Sequence, residues 1–253
     1  MPEPKGKSRT QVDWRACAKS AILLGMGSYL ALLIATGHLT NYINLRFAWL
    51  AYLAAAIFFL LGLVSLYDLL GQHDEPAEHQ AHAGHSCHIS WGMLAVTAFP
   101  LMLAVLIPSR PLGIEAVNGG ISLNPVGVDT ASVFTRNPLD RNILDWLRQF
   151  SRIQTPAELN GQPVDVIGFV YREPSFPEDD FMVSRFTMSC CVADAYPIGL
   201  PVRSESADAF TAGHWVRVQG KLKASHFGAD YLPVVEADHI DIVEAPAQAY
   251  LYP

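Results

Sequence analysis

The chain has 253 residues, 51% of them hydrophobic and only 16% charged, with 17 basic and 24 acidic side chains and a net charge of −7. Ordinary globular domains carry about 25% charged residues, so the deficit points to long apolar stretches rather than to one soluble core. Residues 1–109 hold six bases and six acids, so the whole negative charge falls on the distal part; an acidic distal domain argues against nucleic acid, whose phosphates need a basic face.

Residues 1–20 are polar and basic and read as a cytoplasmic tail. Ala21 to Gly37 is an apolar run that, with His38 and Leu39, approaches the roughly 20 residues needed to span a bilayer. A signal peptide is the competing reading, but the run exceeds the usual core of about 7–15 residues and no small-x-small site follows it cleanly. Phe47 to Leu70 is a second run, with Trp49, Tyr52 and Tyr67 toward its ends, where amphipathic rings favour the membrane interface. The ten residues from His38 to Phe47 allow only a turn, so the two helices form a hairpin, with Asn41, Asn44 and Arg46 available for its exposed backbone ends.

The loop over residues 71–90 holds His73, His79, His82, His85, Cys87 and His88, five of the nine histidines in the chain. Imidazole and thiolate are ligands that Zn²⁺ and other borderline metals prefer. Spacings of three residues let several converge on one ion, bound weakly and exchangeably; the alternative is a solvated connector. Ile89 to Ile107 is the third run, interrupted by Pro100, which a membrane helix tolerates as a kink when neighbours satisfy the freed carbonyl. Five bases precede the first run, one lies in the first loop and none in the second. This bias predicts a cytoplasmic N-terminus and, after three spans, an extracytoplasmic distal domain in a multi-pass cell-membrane protein.

Residues 109–138 are rich in Gly, Asn, Ser and Pro and read as a linker or extended arm. Leu139 to Phe150 carries Ile143, Leu144, Trp146, Leu147 and Phe150 at helical spacing, and Thr155-Pro156-Ala157-Glu158 resembles a capping box. From there the period falls to two. Strand candidates are 164–171, 181–188, 196–202, 215–222, 231–236 and 239–243. Five or six short strands in residues 139–253 suggest a small OB-like barrel, with a β-sandwich as the alternative. The predicted class is an α + β membrane protein: three transmembrane helices over 21–108, a short helix and a small all-β domain.

The most unusual distal stretch is Phe181 to Arg203. Cys190 and Cys191 are adjacent, with Asp194 three residues on and Arg185 five before. Three readings stand together. A mutual disulfide needs a strained ring. Neighbouring strand residues point to opposite faces, so both thiols reach one ion only at a bulge or strand end, with Asp194 and His214 or His239 completing the site. Alternatively both thiols pack as small weakly polar groups while Asp194 pairs with Arg185. Catalytic motifs are not evident, and the chain reads as a non-enzyme.

Thr36-Gly37-His38-Leu39-Thr40-Asn41-Tyr42-Ile43 follows the form T-G-x-L-x-x-Y-I. Distally come Gly168-Phe169-Val170, the block S-R-F-x-M-S-C-C-V-A-D-A over 184–195, and W-V-R-V-x-G over 215–220. With these motifs the chain resembles the YcgQ-like family of bacterial two-component permease subunits, from about residue 20 onward. The resemblance implies a larger polytopic permease as partner, beside the lipid bilayer, with no established substrate. The leading expectation is therefore an accessory permease subunit linked to metal-ion handling. Its rivals are a stand-alone membrane-anchored metal-binding protein and, third, a thiol-redox protein. No motif demands a cofactor; the candidate ligands suit Zn²⁺ or another divalent metal.

Overall fold

The computed structural model describes residues 14–71, 90–117, 119–123 and 137–253. They fall into two compact units. One takes the chain through Leu39 and then Phe47–Ser109, and the other takes Thr40–Arg46 and Arg110–Pro253.

The first unit is helical: α1 spans Trp14–Ala35, α2 Ala48–Gly71 and α3 Trp91–Leu106. Each apolar run of the sequence becomes one helix. α1 begins ahead of its run, so Arg15 and Lys19 ride on its first turns. Ser90 caps α3, accepting a hydrogen bond from the Met93 amide at 3.2 Å, and Pro100 lies inside that helix. Small residues let the helices approach closely. A Cβ on Gly62 of α2 would stand 2.6 Å from Leu24 of α1, and one on Gly25 of α1 would stand 2.9 Å from Leu101 of α3. α1 thus packs against both other helices. Two described helices, Trp14–Ala35 and Leu45–Leu70, are long and apolar enough to cross a membrane, while α3 is shorter. The histidine loop lies outside the described residues.

The second unit is built on five strands: β1 Pro163–Tyr171, β2 Asp180–Thr187, β3 Tyr196–Arg203, β4 Trp215–Phe227 and β5 Asp230–Ile242. Their order is β1-β2-β3-β5-β4, and β4 pairs back with β1, so the ring of pairings closes. All pairs are antiparallel except β3 with β5. Val164, Val166, Val216, Val218 and Leu222 alternate inward, as period-two patterning requires, and meet Val183, Ile198, Leu200 and Val202 in one core.

Three sequence expectations are corrected here. The two last strand candidates are one continuous β5. A bulge opposite Gln219 and Gly220 leaves Asp238 unpaired between His239 and Ala237 and breaks the alternation. A Cβ at Gly220 would stand 2.1 Å from the Glu236 carbonyl oxygen, so only glycine fits the strand there. β4 continues through His226 and Phe227, leaving Gly228 and Ala229 as a two-residue hairpin loop with Gly228 at φ +60°.

The helix expected over Leu139–Phe150 divides in two. A 3₁₀ turn covers Pro138–Asp140, and α4 covers Ile143–Phe150. Asn142 accepts from the Asp145 amide at 3.0 Å and Asp145 accepts from the Asn142 amide at 3.3 Å, a reciprocal cap. α4 buries Ile143, Leu144, Trp146 and Leu147 in the barrel core. Parts of the 109–138 stretch also pack on the barrel: Leu112, Ile114 and Val117 lie against Phe169 and Tyr250, and Ser122 bridges to Ile198.

Candidate functional site at the cysteine turn

β2 and the turn that follows it carry the S-R-F-x-M-S-C-C-V-A-D-A block. Ser184 is fully buried between Gly168 and Gly199, whose missing side chains make room for it. Arg185 donates from Nε to the Ala249 carbonyl at 3.1 Å and from Nη2 to the Gln248 carbonyl, and lies over the Trp215 ring at 5.7 Å. Burial pulls its guanidinium down to about 10. Arg185 therefore holds the C-terminal tail, and the expected Arg185–Asp194 pair is not formed. The tail runs beside β2, with the Met188 amide donating to Leu251 at 3.0 Å and the Leu251 amide to Phe186 at 2.9 Å. Phe186, Met188, Phe169 and Tyr250 form a second core at this end.

Beyond Thr187 the chain leaves the strand and turns. Asp194 organises the turn. Its Oδ1 accepts from the Ser189 amide at 2.9 Å, and its Oδ2 from the Cys190 amide at 2.7 Å and the Cys191 amide at 3.4 Å. The Asp194 amide returns a bond to the Cys191 carbonyl at 3.0 Å, closing the single 3₁₀ turn Val192–Asp194. Because the turn abandons strand geometry, the adjacent thiols do not diverge: Sγ of Cys190 and Sγ of Cys191 are 3.8 Å apart. The two sulfurs and a carboxylate oxygen of Asp194 all lie within 4.8 Å of one another. Cys190 is exposed, and both cysteines are free thiols.

Electrostatics in the turn favour a protonated thiol. The hydrogen bond to Asp194 and then the contact with Cys191 push the Cys190 thiol up to about 11. Burial works to raise the Asp194 carboxyl, but the Cys190 thiol and the three backbone amides outweigh it and hold the group below the usual carboxylate value. A thiol nucleophile needs the opposite shift.

The sequence reading missed the other half of the turn's support. Thr40–Arg46, the connection between α1 and α2, belongs to the same unit as the barrel. Ile43 forms an antiparallel bridge with Cys191, the Asn44 amide donates to the Cys190 carbonyl at 3.0 Å, and the Val192 amide donates to the Tyr42 carbonyl at 2.8 Å. Asn44 Nδ2 donates to the Ser189 carbonyl at 2.8 Å, while its Oδ1 accepts from the Arg46 amide at 3.0 Å. Asn44 is buried, so it serves the cysteine turn in addition to its own backbone. The signal lies in the end of the T-G-x-L-x-x-Y-I stretch, Tyr42 and Ile43, and in the adjoining Asn44, which from sequence alone reads only as a partner for the hairpin's exposed backbone ends.

The structure brings Cys190, Cys191 and Asp194 together and leaves the expected histidines out. His239 Nε2 meets Asp241 at 2.9 Å on β5, and neither it nor His214 belongs to the ligand group. His73, His79, His82, His85, Cys87 and His88 lie outside the described residues.

Two family models match the chain. One described as the DUF1980 N-terminal domain covers residues 19–120, and one described as the DUF1980 C-terminal domain covers residues 139–253. A protein of Streptococcus mutans serotype c, provisionally named as a subunit of a two-component membrane permease complex, is 23% identical over 90% of this chain and 94% of its own. The UPF0703 protein YcgQ of Bacillus subtilis (strain 168) is 20% identical over 91% of this chain and 97% of its own. A small single-stranded DNA-binding protein from Streptomyces coelicolor aligns over 33% of this chain and 95% of its own, with 14% identity and a TM-score of 0.23, a likeness on which nothing rests.

Proposed function

This chain belongs to the DUF1980 family, and we propose that it works as the accessory, non-enzymatic subunit of a two-component membrane permease. The observation that carries this reading is the end-to-end match, about nine-tenths of both chains, to a relative named as a subunit of such a complex. The helices support it. Their Lys, Arg, Asp and Glu side chains are Arg15, Lys19 and Asp68, all near helix ends. Carriers need charged groups or broken helices within the bilayer, so a larger polytopic partner supplies the pathway.

All three helices span the membrane in this reading. α3 has 16 residues, about 24 Å at 1.5 Å per residue, and its apolar C-cap residue Ile107 with local thinning of the bilayer covers the remainder. The pairing of Ile43 and Asn44 with the cysteine turn supports the count. Were α3 not to cross, the α1–α2 connection and the barrel would lie on opposite sides of the bilayer and could not pair. The five bases of the tail favour a cytoplasmic N-terminus and, with three spans, a barrel outside. The domain division is then a tail 1–20, a membrane region 21–108 with its histidine loop 71–90 in the cytoplasm, an arm 109–138 and a barrel 139–253. The strand order with one parallel β3–β5 pair suits an OB-type Greek-key barrel. The histidine loop, as a weak capture site for a divalent ion, would lie across the bilayer from the cysteine turn, so the two would not share an ion.

Affinity purification of the full chain in mild detergent, with mass spectrometry of bound proteins, tests the reading. A large polytopic partner in defined ratio is the expected result. A chain recovered alone from cells expressing its natural neighbours overturns it.

A further inference from the structure

We propose that Cys190, Cys191 and Asp194 form a binding site for one tetrahedral, thiolate-preferring divalent cation of the zinc class, on a turn clamped in place by the α1–α2 connection. The argument begins with distance. Zinc–thiolate bonds are about 2.3 Å, so two sulfurs on a tetrahedral ion stand about 3.8 Å apart. That is the separation of Cys190 Sγ and Cys191 Sγ, 3.8 Å. A linear dithiolate ion with bonds of that length would need its sulfurs about 4.6 Å apart. The turn thus holds the pair at a tetrahedral edge.

The third ligand is already in place, because all three donor atoms lie within 4.8 Å of one another. Asp194 Oδ1 accepts one amide, from Ser189 at 2.9 Å, and keeps a second lone pair for an ion. Three protein donors leave a fourth position for water or an exchanging ligand, as in zinc sites that keep one position open. On binding, the two thiol protons leave to solvent. Two thiolates and one carboxylate then face a +2 ion, and the amides of Ser189, Cys190 and Cys191 offset the residual negative charge.

The backbone carrying the ligands is fixed from both sides. Asp194 accepts from the amides of the turn, while Asn44 donates from Nδ2 to the Ser189 carbonyl at 2.8 Å and from its backbone amide to the Cys190 carbonyl at 3.0 Å. Outer-shell partners of this kind orient ligands and typically alter metal affinity by about 10–100-fold. Asn44 is thus a positioning residue for the site. The site does not require the permease reading; within that reading, it would place an exchangeable ion on the barrel side of the membrane, at the turn that pairs with Tyr42–Asn44.

The test uses the full chain in detergent with Cys17 and Cys87 replaced by serine, titrated with Co²⁺ and then Zn²⁺. Thiolate-to-cobalt charge transfer reports sulfur ligation and is blind to the histidine loop. One equivalent of Co²⁺ should give the band, and Zn²⁺ should abolish it stoichiometrically. Cys190→Ser and Cys191→Ser should each lose the two-thiolate band, and Asn44→Ala should weaken binding about tenfold or more. No band in the parent chain overturns the proposal, and so does a band that survives Cys190→Ser with Cys191→Ser. The parent titration decides even if a variant misfolds. A chain that binds the ion but brings down no partner retires the permease reading alone, and the converse retires this site alone.

Discussion

At the residue scale, Arg185 and Asp194 have separate duties despite standing nine positions apart in one motif. Arg185 holds the tail carbonyls of Gln248 and Ala249, while Asp194 holds the amides of the cysteine turn. Their substitutions should therefore separate. Arg185→Gln should release the tail and raise hydrogen exchange at Met188 and Leu251, whose amides the tail pairing protects. The stability cost should be on the order of 1–3 kcal/mol, that of leaving buried groups unpaired. Asp194→Asn keeps the shape of the side chain, so exchange at the tail should stay as in the parent while the turn amides of Ser189 and Cys190 exchange faster. Equal exchange changes in both variants would mean that the two side chains act as one pair. The sequence showed that these residues are costly in an apolar run. It did not show the partners, because the tail lies 63 and 64 positions away and carbonyl acceptors have no sequence signature.

At the element scale, the barrel was legible wherever alternation was unbroken. The valines of β1 and β4 give their inward faces directly. The sequence pattern divides β5 in two because the bulge at Asp238 shifts the period by one residue, and a shift of one exchanges the faces. The closing seam between β1 and β4 carries a cross-strand pair in which Arg217 Nε and Nη2 reach Asp165 at 2.7 and 2.6 Å, joined by Gln219 at 2.8 Å. The Arg217 guanidinium, working against burial and aided by the Gln219 amide, holds the Asp165 carboxyl below its ordinary value. A depressed folded-state value contributes stability that is full above the unfolded carboxyl value, near about 3.9. That contribution is lost as pH falls through the lower folded value. Asp165→Asn should thus melt below the parent at neutral pH, and the gap should close as the buffer is taken below about pH 4. A gap that stays constant from neutral to acid pH would show that the carboxylate charge is not what the seam uses. Salt should also narrow the gap, because Arg217 is partly exposed.

At the scale of the whole molecule, the three apolar runs and the change to period two after residue 160 made the order of helices and strands legible. Neither pattern could reveal that the connection between α1 and α2 belongs with the barrel, since Tyr42 to Asn44 meets Cys190 to Val192 almost 150 residues later through backbone bonds. The pairing ties the number of membrane crossings to the cysteine turn. In the proposed topology three crossings would leave both segments outside, while two would separate them. Reporter fusions at residues 78 and 253 should accordingly report the cytoplasm and the outside; one compartment for both would remove the third span.

The most direct measurement joins the two segments covalently in intact cells. Ile43→Cys is introduced into a chain that keeps Cys191 and has Cys17, Cys87 and Cys190 replaced by serine. Ile43 and Cys191 are bridge partners, and directly opposed residues of an antiparallel pair lie about 4.5–5.5 Å apart between Cα atoms, within reach of a disulfide. Mild oxidation should link positions 43 and 191, and without oxidant a membrane-impermeant maleimide should label both from outside the cell. Labelling of the two positions from opposite faces of the membrane, with no cross-link, would contradict the account.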